Sequence, residues 1–112
     1  MKQLQYSEKA VLVGDDAADA LIHYARVISD HGGADTVTLR VINPNGNTVE
    51  ATFLLTASTV MMVESTSSDL EPPRNGEAVQ DLRRRIDVIV RPAQLEPESS
   101  WAEDSLKDAD IM

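Results

Sequence analysis

Apolar and polar residues alternate most regularly between Thr36 and Leu55, TVTLRVINPNGNTVEATFLL. Val37, Leu39 and Val41 fall on one side, with Thr36, Thr38 and Arg40 on the other. After Asn43-Pro44-Asn45-Gly46-Asn47 the pattern resumes, with Val49, Ala51, Phe53 and Leu55 set against Thr48, Glu50, Thr52 and Leu54. A period of two sends one set of side chains to a core and the other towards water. Pro44 presets φ, and Asn45 and Gly46 accept the left-handed conformation that reverses a strand. The stretch therefore predicts a β-hairpin.

Flanking segments follow weaker patterns. Gln3 to Val13 reads as one or two short extended pieces, with Ala10-Val11-Leu12-Val13 as an apolar run. Gly14-Asp15-Asp16 breaks that run and supplies an N-cap. A first helix is expected from about Asp16 to His31. Ala17, Leu21, Tyr24, Ala25 and Ile28 make its apolar stripe, and Asp19, His23, Arg26 and Asp30 lie opposite. Gly32-Gly33 ends it, with Gly32 suited to a left-handed C′ position. Thr56-Ala57-Ser58 reverses the chain into Thr59 to Glu64, a third antiparallel strand. Both faces of that strand are apolar as far as Glu64, which predicts a central strand or one covered by a helix.

Ser65 to Asn75 is a loop by its serines, acids and paired prolines. A second helix is expected over Gly76 to Val90, where Val79, Leu82, Ile86 and Ile89 recur at helical spacing. Arg91-Pro92 should stop it. An edge strand over Ile86 to Val90 is the alternative, and the 3.6-residue period favours helix.

The resulting order is β-α-β-β-β-α, an α+β class with a mainly antiparallel sheet and two helices on one face. Residues 1–91 form a single domain in this reading. Residues 92–112 are an acidic tail, flexible or docking, with six acids against one lysine and few large apolar residues. Trp101 is the tail's one aromatic residue.

Composition narrows the function classes. Four aromatic residues, Tyr6, Tyr24, Phe53 and Trp101, leave the core to aliphatic side chains. A formal charge of −9 repels phosphate backbones and anionic head groups, so nucleic acid and membrane are not expected partners. The chain has no cysteine, hence no thiolate nucleophile, disulfide or cysteine zinc site. No apolar run suits a signal-peptide core or a membrane span, and a cytoplasmic location is expected.

Candidate chemistry is sparse. Gly14-Asp15-Asp16 resembles the paired aspartates of metal-dependent polymerases over three residues, but it sits where a helix needs a cap. Asp19 and His23 stand four apart, which could begin a metal site, yet zinc needs a third protein ligand. His23 and His31 are the two bases tuned near neutral pH, and neither has a nucleophile motif beside it. Arg83-Arg84-Arg85 fans around its helix, where Asp81 can neutralise Arg84 or Arg85 and Asp87 lies three beyond Arg84. An anion pocket including Arg91 is the functional reading of those arginines.

The leading functional expectation is a non-catalytic binding or assembly protein with no cofactor and no metal. Its partner is a protein or a second copy, with Leu54 and Met61, expected on the sheet face away from the helices, and Trp101 in the tail as interface candidates. A small enzyme or ligand-binding domain using His23, His31 and an arginine is the first alternative. It requires a pocket joining a histidine, an arginine and a carboxylate. An acidic inhibitor of a basic protein, such as a toxin or nuclease, is the second and predicts acids gathered on one face.

Overall fold

A computed structural model describes residues 1–95, with side chains as far as Arg91. Five strands and two helices follow in the order β1 (Lys2–Tyr6), β2 (Lys9–Val13), α1 (Asp15–Asp30), β3 (Asp35–Ile42), β4 (Thr48–Leu55), β5 (Met61–Ser65) and α2 (Gly76–Leu95). The strand–helix order agrees with the expected one. Its first strand position is filled by a two-strand hairpin that turns at Ser7-Glu8, where Ser7 takes a left-handed φ of 57°.

All five strands form one antiparallel sheet in the order β4-β3-β2-β1-β5. The central hairpin pairs along its whole length, from Asp35↔Leu55 to Ile42↔Thr48. Its turn is held by the Asn43 side chain, whose Oδ1 accepts from the N–H groups of Asn45 and Asn47. Gly46 has the positive φ of 86° that the turn requires.

Helix α1 starts on Gly14, whose carbonyl accepts from Ala18 N–H without any side-chain cap. It ends in a Schellman motif: Gly33 N–H donates to Ile28, Gly32 N–H to Ser29, and Gly32 has φ 66°. The apolar stripe of α1 packs on Leu4, Val13, Leu39 and Leu55, while α2 contributes Val79, Leu82 and Ile86 to the same cluster. Each of these side chains is buried, and every element supplies residues to that cluster or packs against it.

Two expectations need correction. Helix α2 does not stop at Arg91-Pro92 but continues to Leu95. Pro92 removes one backbone donor, whose partner would be the carbonyl of exposed Val88, where water can take its place. The same helix settles the alternative at Ile86 to Val90: Ile86 is buried and Val88 exposed, which is helical rather than strand periodicity.

The third predicted strand, β5, is an edge strand and not a central one. It pairs with β1 rather than with β4, because the N-terminal hairpin occupies the middle of the sheet. Met61 and Val63 on its inner side pack against the helix-covered core, in agreement with the second half of that expectation.

The sheet is strongly coiled. In a flat sheet of this order β1 and β4 would stand about 14 Å apart, three strand spacings. Yet the rings of Tyr6 on β1 and Phe53 on β4 meet edge to face at 5.6 Å, and Tyr6 Oη donates to the carbonyl of Leu54. Both rings belong to the helix-covered side, so the sheet closes on that side and its other face is convex. Coiling also explains how the five residues from Thr56 to Val60 can pass from one edge of the sheet to the opposite edge. The segment is a tight turn, with Thr59 N–H donating to Thr56, and Val60 accepts from Ser7 N–H at the tip of the β1–β2 hairpin.

Candidate functional site

Strand alternation divides the sheet side chains, with the exception of Ile42, which is buried on the outward register opposite Leu12. Inward go Leu4, Val11, Val13, Val37, Leu39, Val41, Phe53 and Leu55, all buried. Outward on the two outermost strands go Leu54, 54% exposed, and Met62, 45% exposed. Between them the convex face carries Gln3, Gln5, Ala10, Leu12, Thr36, Thr38, Arg40, Glu50, Thr52 and Glu64. Thr38 and Thr52 are hydrogen-bonded across β3 and β4 at 2.8 Å, and Arg40 stands directly opposite Glu50. Three charges occur here, one positive and two negative. The face is therefore almost neutral on a chain of net charge −9.

The backbone of β4 is the second part of the site. Both the N–H and the C=O of Arg40 point away from β4, to the side-chain amide of Asn75. Alternate residues of an antiparallel strand bond to opposite sides. Val37, Leu39 and Val41 therefore bond to β4, whose Val49, Ala51 and Phe53 face back to them. Thr48, Glu50, Thr52 and Leu54 present their N–H and C=O groups to the free edge. At Leu54 the carbonyl is already engaged by Tyr6 Oη and Thr59 Oγ1. Among the described residues, the stretch from Thr48 to Thr52 is the open part. Val49 at its side is 37% exposed although it points to the core side.

The longest polar network ties α1, β3 and α2 together. Asp35 Oδ2 accepts from Tyr24 Oη and from Arg85 Nη1 at 2.9 Å, while Asp35 Oδ1 accepts from Thr36 N–H. Arg85 also donates to the Thr36 carbonyl at 3.1 Å and pairs with Asp81 at 2.8 Å. Its guanidinium lies 5.9 Å from the Tyr24 ring centroid. The hydrogen bond from Tyr24, with Thr36 N–H and Arg85 adding to it, holds the Asp35 carboxyl below the ordinary carboxylate range. Burial and then Asp35 push the Tyr24 hydroxyl up. Arg84 and Arg85 hold Asp81 down. Every acid in this network faces a donor, so it fastens elements together and has no free base to offer a substrate.

The sequence-derived candidates are scattered. Asp19 does not join His23 but pairs with Lys2 Nζ at 2.8 Å. His23 is exposed on α1, and His31 lies at the helix end with Nδ1 3.0 Å from the Val27 carbonyl. Among the described residues no cluster of three His, Cys, Asp or Glu side chains is placed to hold a metal. Asp15 and Asp16 line a cleft of ≈ 490 Å³ with Pro72, Asn75 and Arg83, between the first turns of the two helices. No histidine lines that cleft.

Arg84 and Arg85 both pair with Asp81, as the spacing predicts, whereas Asp87 pairs with Arg91 at 3.1 Å instead of with Arg84. Acids in ion pairs lie on α1, β3 and α2.

Of the three interface candidates, Leu54 lies on the convex face as expected. Met61 does not share that face. It is opposite Tyr6 on the inner side and packs against the core, because the outward register of β5 falls on Met62 and Glu64. Trp101 and the acidic tail beyond Leu95 lie outside the described residues.

Sequence reasoning missed Asn75 and the Tyr24–Asp35–Arg85 link. An asparagine just before a helix is a capping signal, but nothing local indicates that its amide reaches back 35 positions to Arg40.

No protein-family model matches the chain, and no curated protein or solved structure shows significant similarity to it.

Proposed function

We propose that the protein is a non-catalytic assembly protein that works by joining to a second copy of itself. The observation that carries this reading is the near-neutral convex face, which exposes Leu54 and Met62 on an otherwise strongly acidic chain. Like-charged copies repel one another wherever their acids face. The face with one arginine and two glutamates is where two copies approach at least cost. A basic partner would gain little there, since the excess of acid lies elsewhere. Its mixture of threonines, glutamines and two exposed apolar residues suits a moderate interface rather than an obligate one.

Light scattering on the full chain at tens of micromolar tests the reading. The expected mass is twice the 12.2 kDa of one chain, falling to the single-chain value in Leu54→Glu. A single-chain mass for the unaltered protein overturns it. A chain ending at Leu95 tests the tail's share: if Trp101 anchors the contact, this shorter chain loses the dimer.

A further inference from the structure

We infer that two copies join edge to edge through β4, in the antiparallel register that sets Ala51 of one copy opposite Ala51 of the other. The inference rests on the self-association reading above and specifies its seam.

Free strand edges are templates for pairing, and folded proteins commonly blunt them with lysine, proline or a covering element. From Thr48 to Thr52, β4 has neither lysine nor proline, and its single charge, Glu50, stands opposite Arg40 of its own sheet. This edge offers a second acidic copy hydrogen bonds without a charge barrier, and it offers a basic partner no surplus of acid.

Geometry narrows the register. Pairing on Val49 would also match Thr48 with Glu50 twice, but it sets Thr52 against Gly46 in the turn and uses only the first residues of the strand. Among the described residues Thr48, Glu50 and Thr52 have open backbone groups, while Leu54 is closed by Tyr6 and Thr59. Two-fold pairing on Glu50 sets like charges opposite each other, which is destabilising. Pairing on Thr52 sets Glu50 against Leu54, whose carbonyl is engaged. Pairing on Ala51 matches Glu50 with Thr52 twice, forms four backbone hydrogen bonds and opposes no like charges. It also sets exposed Val49 beside the partner's Phe53 on the core side, where inward residues meet inward residues.

The chain contains no cysteine, so Ala51→Cys introduces the sole thiol. Ala51 would occupy a non-hydrogen-bonded pair, where Cα atoms approach to about 4.5 Å, within disulfide reach. Under mild oxidation with oxidised glutathione, Ala51→Cys is expected to form a covalent dimer roughly tenfold or more faster than Thr48→Cys. In the proposed register position 48 faces position 54 and lies far from its own copy. Thr52→Pro removes an N–H that points to the free edge, so it is expected to keep the far-UV spectrum and lose the dimer mass.

A dimer by light scattering in which the two thiols cross-link equally slowly, or one that folded Thr52→Pro retains, overturns the β4 seam. Either result leaves self-association standing. Single-chain mass for the unaltered protein overturns both.

Discussion

Asn75 is the residue whose replacement by its nearest relative should be most revealing. Its Oδ1 accepts from Arg40 N–H and its Nδ2 donates to the Arg40 carbonyl, both at 2.8 Å, as a neighbouring strand would. Its own carbonyl receives Val79 N–H at 2.8 Å and so starts α2. On helix-capping preference alone asparagine and aspartate are equivalent, and Asn75→Asp should be neutral. The clamp on β3 predicts otherwise. A carboxylate keeps the acceptor but turns a second oxygen on the Arg40 carbonyl oxygen at the distance where a donor stood.

The loss has two parts. A net hydrogen bond contributes about 0.5–1.5 kcal/mol, and this half-exposed one belongs in the lower part of that range. Repulsion between partial charges at that separation adds on the order of 1–2 kcal/mol at an effective dielectric near 20. Asn75→Asp should therefore cost about 2–3 kcal/mol at pH 7. Asn75→Ala, which loses both bonds but adds no repulsion, should cost about 1–2 kcal/mol. Urea melts followed by far-UV circular dichroism measure both.

The sign of the pH dependence is a second check. Repulsion raises the folded-state pKa of the introduced carboxyl above its unfolded value of about 3.9. Its penalty is present in full above the folded value and shrinks as pH falls through it, because the protonated acid can donate to Arg40 again. Stability within about 0.5 kcal/mol of the unaltered protein at pH 7 would refute the clamp, and so would a penalty that grows on acidification.

Two further perturbations test other parts of the structure. Phe53→Ala removes a buried ring that packs edge to face on Tyr6, and it should cost about 3–5 kcal/mol in urea melts; a loss below about 1 kcal/mol would mean that the inner face of β4 is misassigned. Asp35→Asn should cost on the order of 1 kcal/mol at pH 7, since the pair with Arg85 is part-exposed. The Asp35 pKa is lowered on folding, so its contribution is present above the unfolded value near 3.8 and is lost as pH falls through the folded value. The gap between Asp35→Asn and the unaltered protein should therefore close in acid, and a gap constant to pH 2 would contradict the assignment.

Local patterns carried much of the fold and little of the site. The hairpin from Thr36 to Leu55 was legible because alternation and turn chemistry agree, and inward burial follows them at Val37, Leu39, Val41, Phe53 and Leu55. Helix α1 was legible for the same reason, and Gly32 adopts the left-handed conformation that its position predicts. What misled was context. TVMMV reads from its apolar faces as a strand that is central or covered by a helix, and β5 is covered but lies at the edge, because the N-terminal hairpin fills the middle of the sheet and pairs with it through β1. No local signal specifies a partner nearly sixty residues away. Met61 was placed on the wrong face because the expected strand began at Thr59 with no partner to fix its register. Pro92 was read as a stop because the cost of one missing donor is local, whereas the packing of Val79, Leu82 and Ile86 that holds α2 is not. The contact between Asp35 and Arg85 spans 50 positions and joins two elements whose spacing only the fold defines.

The protein treats its exposed backbone edges unequally, and that contrast carries the interface argument. Strand β3 is paired with β2 only at Leu12↔Ile42, which leaves most of that edge without a neighbouring strand. Side chains from α2 and its approach close it instead: Asn75 bonds both groups of Arg40, and Arg85 takes the Thr36 carbonyl. Strand β5 is shielded differently, being five residues long with Glu64 near its end. The eight-residue β4 is plugged at Leu54 but receives no such side chain along Thr48 to Thr52 among the described residues. Coiling makes the outer face convex, so two copies that approach through it touch along a narrow strip, and the open stretch of β4 at its rim supplies backbone hydrogen bonds to that strip. An edge that ends in a plug at Leu54 and has its one charge opposite Arg40 extends the neutral face to the backbone, and it is where two copies that meet on that face can join.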